Sequence, residues 1–516
     1  MRQGIVYLVG AGPGDPGLLT RRGAELLARA DVVVYDALIN PELLKLAPST
    51  AELIYGGKRS KRHTLLQGEL NELLVKKARE GRTVVRLKGG DPYTFGRGGE
   101  EGQQLAVAGV AFEIVPGVSS VVAALNYAGI PLTHREYCSS FTVITGHEDP
   151  DAEECGIDWE HLARTPGTKV VLMGLKNIRR IMRMLVEHGL AESTPVAMVR
   201  WGTLPRQQTI AGTVATIADV IERTGFGAPA VTVIGDVVRL RDQLNWFERR
   251  PLFGQRVVVT RARDQAAVFS AALSELGAEV LEVPTIRTLP PLNRTALVEA
   301  LSGIGGYDWL VFTSANGVTA FFEYFFKAFH DLRDIGGVRI AAVGPVTAAH
   351  LADLHLQVDL MPEKFEAVAV AQAFMEQESL ENRKICLLRA EQATPELPRL
   401  LEDEGAIVDD VPVYRTVLEP EASIESSDIL RNEGADWVTF TSGSTVEHFH
   451  QRFDLPELMR RHPRMGAVSI GPETSGALRH LGVEPAIEAE PHTISGLVEA
   501  IQQAVARRRS EEGHPR

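Results

Sequence analysis

Two glycine-rich turns near the N-terminus carry a carboxylate where a phosphate-binding turn would not tolerate one. The first, "IVYLVGAGPGDPGLLT" (residues 5–20), leaves a strand through Gly10, Gly12 and Gly14 and has Asp15 where a dinucleotide fingerprint needs its third glycine. A carboxylate there repels pyrophosphate, and Pro13 and Pro16 each remove an N–H that might have held a phosphate. The second, "VVRLKGGDPYTFGRGGEE" (84–101), ends a strand in Gly89-Gly90-Asp91-Pro92 and continues into a further glycine cluster at 96–99. Both turns let a ligand touch backbone with a carboxylate close by. Such chemistry suits a ligand with a positive centre and amide-like edges, and S-adenosylmethionine has both. Between the turns, "ADVVVYDALI" ends a strand at Asp36, where α/β enzymes keep working side chains. "YGGKRSKRHT" (55–64) then gathers Lys58, Arg59, Lys61, Arg62 and His63, either as a local anion site or as a solvated loop.

These residues must be positioned by an ordinary globular scaffold. The 516 residues are 44% hydrophobic and 23% charged, with length for about three or four domains. No apolar run reaches transmembrane length, and the N-terminus is expected to run straight into a strand instead of a signal peptide. Cys138, Cys155 and Cys386 are scattered without metal-ligand spacing or a disulfide framework, so the expected compartment is the reducing cytoplasm and no metal is expected. The net charge of −13 is uneven: residues 1–248 hold 28 Lys+Arg against 28 Asp+Glu, and the remainder holds 26 against 39. Nucleic acid is therefore a poor partner for the second half, and no membrane partner is expected.

At "LRDQLNWFERRPLFGQ" (240–255) the strand–helix rhythm breaks, and beyond it the sequence repeats. "RARDQAAVFSAALSELGAEVLEVPTIRT" (261–288) returns at 389–416, "DWLVFTSANGV" (308–318) at 436–446, and "AVGPVTAAHL" (342–351) at 469–478, with offsets of 128, 128 and 127 residues. Constant offset implies two homologous α/β lobes with parallel sheets wound by helices. Ligands in such sheets sit beyond the carboxyl ends of the strands. Thr313, Ser314, Gly344, Thr441, Ser442 and Gly471 fall at those ends; they line a cleft for an anionic molecule, cap helices, or do both. "VPTIRT" becomes "VPVYRT", so Tyr414 stands where the sister copy has Ile286, a candidate for chemistry or a structural tyrosine.

Two family resemblances extend these readings. In order along residues 3–247, "VGAGPGDPGLLT", "YDALI", "GKR", "LKGGDPYTFGRGGEE", "VPGVSS", "GIPLTHR", "VLMGL", "WGT" and "GDVVRLRDQLNWF" resemble uroporphyrinogen-III C-methyltransferase. The resemblance implies two α/β subdomains (about 1–115 and 116–247) with S-adenosylmethionine in the cleft between them, and a homodimer. It places Pro13 against the donor and Gly89, Gly90 and Asp91 at its methionine end, with Thr94 where the family often has an aliphatic residue. Ser119 and Ser120 replace a usual Thr-Ala pair, and Met173, Gly202 and Ala230 match the adenine side. Asp36 matches the family's proton acceptor and Lys58 its proton donor. Uroporphyrinogen carries eight carboxylates, for which Lys58, Arg59, Arg97 and Arg135 are the candidate ligands.

Residues 255–508 resemble uroporphyrinogen-III synthase, a family that uses no cofactor. The resemblance implies two lobes joined by a two-stranded connector formed by the two "VP..RT" segments, with Tyr414 implicated in loss of the substrate hydroxyl; Thr313, Ser314, Thr441, Ser442 and Gly471, at the strand ends, are the candidate substrate ligands. The expected whole is a bifunctional tetrapyrrole enzyme leading through precorrin-2 to sirohaem and cobalamin, with 248–254 as linker and 509–516 as a tail. Two alternatives stand beside it: methylation of a later corrinoid, and a second half that is a non-catalytic tetrapyrrole sensor.

Overall fold

The computed structural model describes residues 4–57, 67–147, 150, 156–364, 367–419 and 424–511. They form two compact units, Met1–Arg256 with Leu273–Glu279 and Gln502–Arg516, and Val257–Ala272 with Val280–Ile501. Among the described residues no helix is long and apolar enough to cross a membrane.

The first unit contains two sheets. β1 (Ile5–Gly10), β2 (Val32–Tyr35), β3 (Glu52–Tyr55), β4 (Thr83–Lys88) and β5 (Ala111–Val115) are all parallel, in the order β3-β2-β4-β1-β5. Strands covered on both faces are apolar runs, as in "VVVY". β4, "TVVRLK", is buried at all six positions although two of them are Arg86 and Lys88. Alternation sends Val85 and Leu87 to the face holding Leu26 and Leu27, and Val84 to the face holding Leu70, Leu74 and Leu105. Arg86 and Lys88 share that second face.

The second sheet comprises β6 (Phe141–Thr145), β7 (Thr168–Leu172), β8 (Pro195–Arg200), β9 (Gln208–Thr213) and β10 (Ala230–Ile234), ordered β6-β7-β10-β8-β9. Only β6 and β7 pair in parallel; β10 runs against both its neighbours. The end of β7, the end of β8 and the start of β10 therefore meet at one edge.

Residues 248–254, expected as a linker, are packed instead. The Glu248 carboxylate accepts from Gln207 (2.8 Å), Thr209 (2.7 Å), Asn245 (3.3 Å) and Arg241. Leu252 is fully buried and its N–H donates to Leu276 O at 2.8 Å. The expected tail begins inside a helix, Ile494–Glu511, where Arg509 donates to Phe253 O at 2.7 Å.

In the second unit the repeats are not the lobes. β11 (Arg256–Val259), β12 (Glu279–Glu282), β18 (Trp437–Phe440), β19 (Gly466–Ser469) and β20 (Ile487–Glu488) make one sheet, ordered β12-β11-β18-β19-β20. β13 (Ile286–Leu289), β14 (Trp309–Phe312), β15 (Arg339–Ala342), β16 (Lys384–Ala390) and β17 (Ile407–Leu418) make the other, ordered β13-β17-β16-β14-β15. β11 pairs with β18 of the second copy, and β16 of the second copy pairs with β14 of the first. One lobe thus joins β11 and β12 of the first copy to β18, β19 and β20, and the other joins β16 and β17 of the second copy to β13, β14 and β15. The crossing occurs at the two "VP..RT" segments: β13 and β17 pair antiparallel, with Thr288 opposite Thr416. That antiparallel pair is the exception in otherwise parallel sheets.

Glu248→Ala strands the donors of Arg241, Gln207 and Thr209 in a mostly buried place. We expect it to destabilise the first unit by about 2–4 kcal/mol in denaturant unfolding; an unchanged midpoint would mean that 248–254 is a tether after all.

Candidate active site

β4, β1 and β5 are adjacent and parallel, so the loops leaving their carboxyl ends lie side by side. Glycine permits backbone-on-backbone contact there. A Cβ on Gly117 would lie 2.2 Å from Gly90 O and 2.7 Å from Gly10 Cα; one on Gly10 would lie 2.5 Å from Gly117 Cα. Gly90 and Gly12, at φ 67° and 76°, exchange hydrogen bonds of 2.7 and 3.2 Å. Gly89 has Leu38 Cβ 3.6 Å from where its own Cβ would be.

The two carboxylates that mark these turns are braces. Asp91 Oδ1 accepts from the Tyr93 N–H (2.9 Å) and the Thr94 hydroxyl (3.1 Å), and Oδ2 from the Gly117 N–H (3.0 Å). Asp15 Oδ1 accepts from the Gly17 N–H and Oδ2 from the Tyr127 hydroxyl, both at 2.7 Å. Burial, and then the bond to Asp15, push the Tyr127 phenol well above its ordinary range. Each of these oxygens accepts a bond from a neighbouring loop or side chain, so the carboxylates brace the turns.

The same loops reach the second sheet. Asp15 N donates to Thr203 Oγ1 at 2.9 Å, and a Cβ on Gly14, next to Pro13, would lie 2.9 Å from Leu204 Cγ. A Cβ on Gly202 would sit 2.4 Å from that of Ala124, in the helix Ser120–Tyr127 that Ser119 caps through the Val121 N–H. A Cβ on Gly90 would lie 3.8 Å from Ser119 Cα and from Ser120 N. Register puts Val231 opposite Leu172 and Ala230 opposite Arg200, bringing Met173, Ala230 and Gly202 to one edge. Phe95, Arg97, Met173, Trp201 and Thr203 take positive φ of 50–74°, five of the eight such non-glycine residues among those described. Backbone strain of this kind persists where surrounding structure imposes it, and it clusters at working sites.

Asp36 follows β2, beside β4. Arg86 Nη2 donates to its Oδ1 at 2.5 Å, and Asp36 N donates to Leu87 O. Behind Arg86 stands Glu101, fully buried, whose Oε1 receives Lys88 Nζ at 2.8 Å, Gln67 Nε2 at 3.2 Å and Arg86 Nε at 3.4 Å. Burial and the charge of Arg86 lower the Lys88 ammonium below its usual range, opposed by Glu101 and Asp36. Sequence reasoning missed Arg86, Lys88 and Glu101. The available signal was two cations in a strand that must be buried on both faces.

The expected substrate cations are less gathered. Arg97 is half-exposed and chelates Glu100 (3.0 and 2.5 Å), while Arg135 is exposed in the turn closed by His134 and Cys138. Lys58 and Arg59, with Lys61, Arg62 and His63, lie outside the described residues, as does Cys155.

In the second unit Ser314, after Thr313, caps helix Ala315–Ala328 through the Gly317 N–H. Its Oγ lies 3.0 Å from the Tyr414 hydroxyl. Tyr414 is 8% exposed, and burial raises its phenol while the Ser314 bond opposes the rise. Ser442, after Thr441, caps helix Gly443–Phe453 in a reciprocal box with Thr445, and Gly471 packs under the His492 ring. Thr313 and Ser314 belong to one lobe and Thr441, Ser442 and Gly471 to the other. A side-chain bond between Gln265 and Asn316 links the two beside the Ser314 turn.

Comparison with known proteins identifies the chain as a tetrapyrrole-modifying enzyme. The chain belongs to the tetrapyrrole (corrin/porphyrin) methylases over residues 5–218 and to the uroporphyrinogen-III synthases over residues 267–499, where the respective family models match. It is 38% identical to the porphyrin biosynthesis protein HemD of Ruminiclostridium josui, over 97% of this chain and 98% of that one. It is 43% identical to the uroporphyrinogen-III C-methyltransferase of Bacillus subtilis over 65% of this chain and 68% of that protein. Against the S-adenosyl-L-methionine-dependent uroporphyrinogen III methyltransferase of Methanosarcina barkeri the identity is 53%, over 47% of this chain and 94% of that one.

Gly117→Ala forces the three loops apart. Methyl transfer should fall by about 100-fold or more with the circular-dichroism spectrum retained; full activity would show that the close approach is dispensable.

Proposed function

We propose that the chain is bifunctional. Residues 255–508 close hydroxymethylbilane to uroporphyrinogen III with inversion of ring D, without a cofactor. Residues 1–247 methylate that product twice with S-adenosylmethionine to give precorrin-2, from which sirohaem and cobalamin derive. The observation that carries the reading is the meeting of the Gly10, Gly90 and Gly117 loops with the Met173–Gly202–Ala230 edge, next to Asp36. The dependence on S-adenosylmethionine in the name of the Methanosarcina relative supports the choice of donor.

The residues present fit such a donor: a Cβ on Gly89 or Gly90 would meet nothing closer than 3.6 Å, so space is left beside that turn, whereas Gly10 and Gly117 are packed on each other. Gly89, Gly90 and Asp91 would hold the methionine end, with Thr94 beside them. Pro13, Ser119 and Ser120 would lie along the middle, and Met173, Gly202 and Ala230 on the adenine side. When bound, the donor supplies a methyl group on a sulfonium, and alignment accounts for most of the rate. Asp36 takes the pyrrole N–H proton as the ring carbon attacks. Lys58, Arg59, Arg97 and Arg135 meet the substrate carboxylates, with Lys58 also returning a proton; for Arg97 this requires release from Glu100. In the synthase half Thr313, Ser314, Thr441, Ser442 and Gly471 line the cleft, and the Ser314–Tyr414 pair addresses the departing hydroxyl. Pairing of two copies through the methyltransferase half, a cytoplasmic location and the absence of nucleic-acid or membrane partners complete the proposal.

The test supplies hydroxymethylbilane with methyl-labelled donor. Two labelled methyl groups on a type-III ring are expected, whereas the uninverted isomer alone would make the second half a sensor. Asp36→Ala should abolish methylation and leave ring closure intact; equal damage to both would contradict separate sites. Tyr414→Phe should slow ring closure about tenfold, with Ser314→Ala adding little on top because the two hydroxyls act as one pair. Additive losses would separate them.

A further inference from the structure

Four charges are buried or half-buried behind the end of β2, and the reaction as described uses one of them. Asp36 keeps 30% of its side-chain surface, while Arg86, Lys88 and Glu101 keep 3%, 4% and none. They form a chain from the site inward: Asp36 Oδ1 to Arg86 Nη2 at 2.5 Å, Arg86 to Glu101 Oε1 at 3.4 Å, Glu101 Oε1 to Lys88 Nζ at 2.8 Å. Glu101 Oε2 is buried with no hydrogen-bond partner.

Stability alone does not account for this cluster. Desolvating ions costs several kcal/mol each, and apolar side chains of similar volume commonly replace a buried ionic group with no loss of stability. The surroundings are already apolar: Val84, Leu70, Leu74 and Leu105 occupy the same face. An orphaned carboxylate oxygen adds a further cost of the kind a packed core avoids. What the arrangement does supply is a fixed guanidinium aimed at the one carboxylate that reaches the surface.

We infer that Arg86 is a positioning residue for methyl transfer: it orients the Asp36 carboxylate, and Glu101, tied to Lys88, fixes Arg86 in turn. This inference rests on the proposed role of Asp36 as proton acceptor. A base whose second oxygen must meet a pyrrole N–H gains from having its first oxygen pinned at 2.5 Å. The guanidinium also offsets the repulsion between Asp36 and a substrate bearing eight carboxylates. Among the described residues, the charged groups acting on Asp36 are Arg86 and Lys88 of β4, with Glu101 of helix Gly98–Val107 behind them.

The experiment is methyl transfer by the full chain, with kcat and KM compared among the wild type, Arg86→Gln, Arg86→Lys and Asp36→Asn, and binding of S-adenosylhomocysteine measured on each. Arg86→Gln removes the guanidinium that pins the base. It should lower kcat by about 100-fold, with KM and S-adenosylhomocysteine binding unchanged because Arg86 lies outside the loops of the donor cradle. Arg86→Lys keeps a donor beside Asp36 and should restore part of kcat. If Asp36→Asn abolishes methylation but Arg86→Gln keeps the wild-type kcat, the inference fails and Asp36 remains the base. If Asp36→Asn keeps the wild-type rate, the base assignment itself is wrong. Loss of S-adenosylhomocysteine binding in both Arg86 variants would reduce Arg86 to a structural residue and overturn the inference.

Discussion

Everything in the first unit follows from how closely three backbones approach at the carboxyl ends of β1, β4 and β5. Gly10, Gly90 and Gly117 lie so near one another that any side chain at 10 or 117 would collide with main-chain atoms within 3 Å. Collapse of this kind leaves no room for side chains at 10 and 117, so the loops meet there through their main chains. It also creates a problem, because three converging loops have few partners of their own. Asp91 and Asp15 solve it by accepting from Tyr93, Thr94 and Gly117, and from Gly17 and Tyr127 respectively. The acidic turn is thus a device for holding backbone in place, and its hostility to phosphate is a by-product.

That device also joins the subdomains. Tyr127 stands at the end of the helix capped by Ser119, and Thr203 on the turn after β8; both reach Asp15. Met173, Trp201 and Thr203 hold left-handed backbone at the facing edge. Left-handed conformations cost about 1–3 kcal/mol each for ordinary residues, and the tight packing of Gly202 against Ala124 is one of the constraints that keeps them there. The geometry of the proposed donor site is therefore imposed from both sheets, and disturbing either should be felt by the other.

Legibility in the sequence tracked distance along the chain. Strand ends, glycine turns and Asp36 are local patterns, and they stand where the motifs imply. The duplication is equally plain, since a constant offset of about 128 residues requires no structure to detect. Its consequence was not: β11 pairs with β18 across roughly 180 residues, so each repeat is split between the two lobes, and the register at Thr288 and Thr416 shows where the chain crosses. Asp15 and Asp91 could be recognised as unusual, but the direction of their oxygens depends on Tyr127 and Gly117, 112 and 26 residues away. Tyr414 stood out against Ile286, while its bond to Ser314 spans 100 residues. The break in strand–helix rhythm marked 248–254 as a boundary, but not that Leu252 is buried and Glu248 accepts from Gln207, 41 residues away. Arg86 and Lys88 could have been found: cations inside a strand with apolar neighbours on both faces demand a buried counter-charge, here Glu101.

The central claim is that the converging glycine loops cradle a sulfonium donor through backbone contacts. Isothermal titration of the full chain with S-adenosylhomocysteine and, separately, with NAD tests it most directly. The account predicts saturable binding of S-adenosylhomocysteine, one per chain, and no heat from NAD. Tight binding of NAD with none of S-adenosylhomocysteine would contradict it.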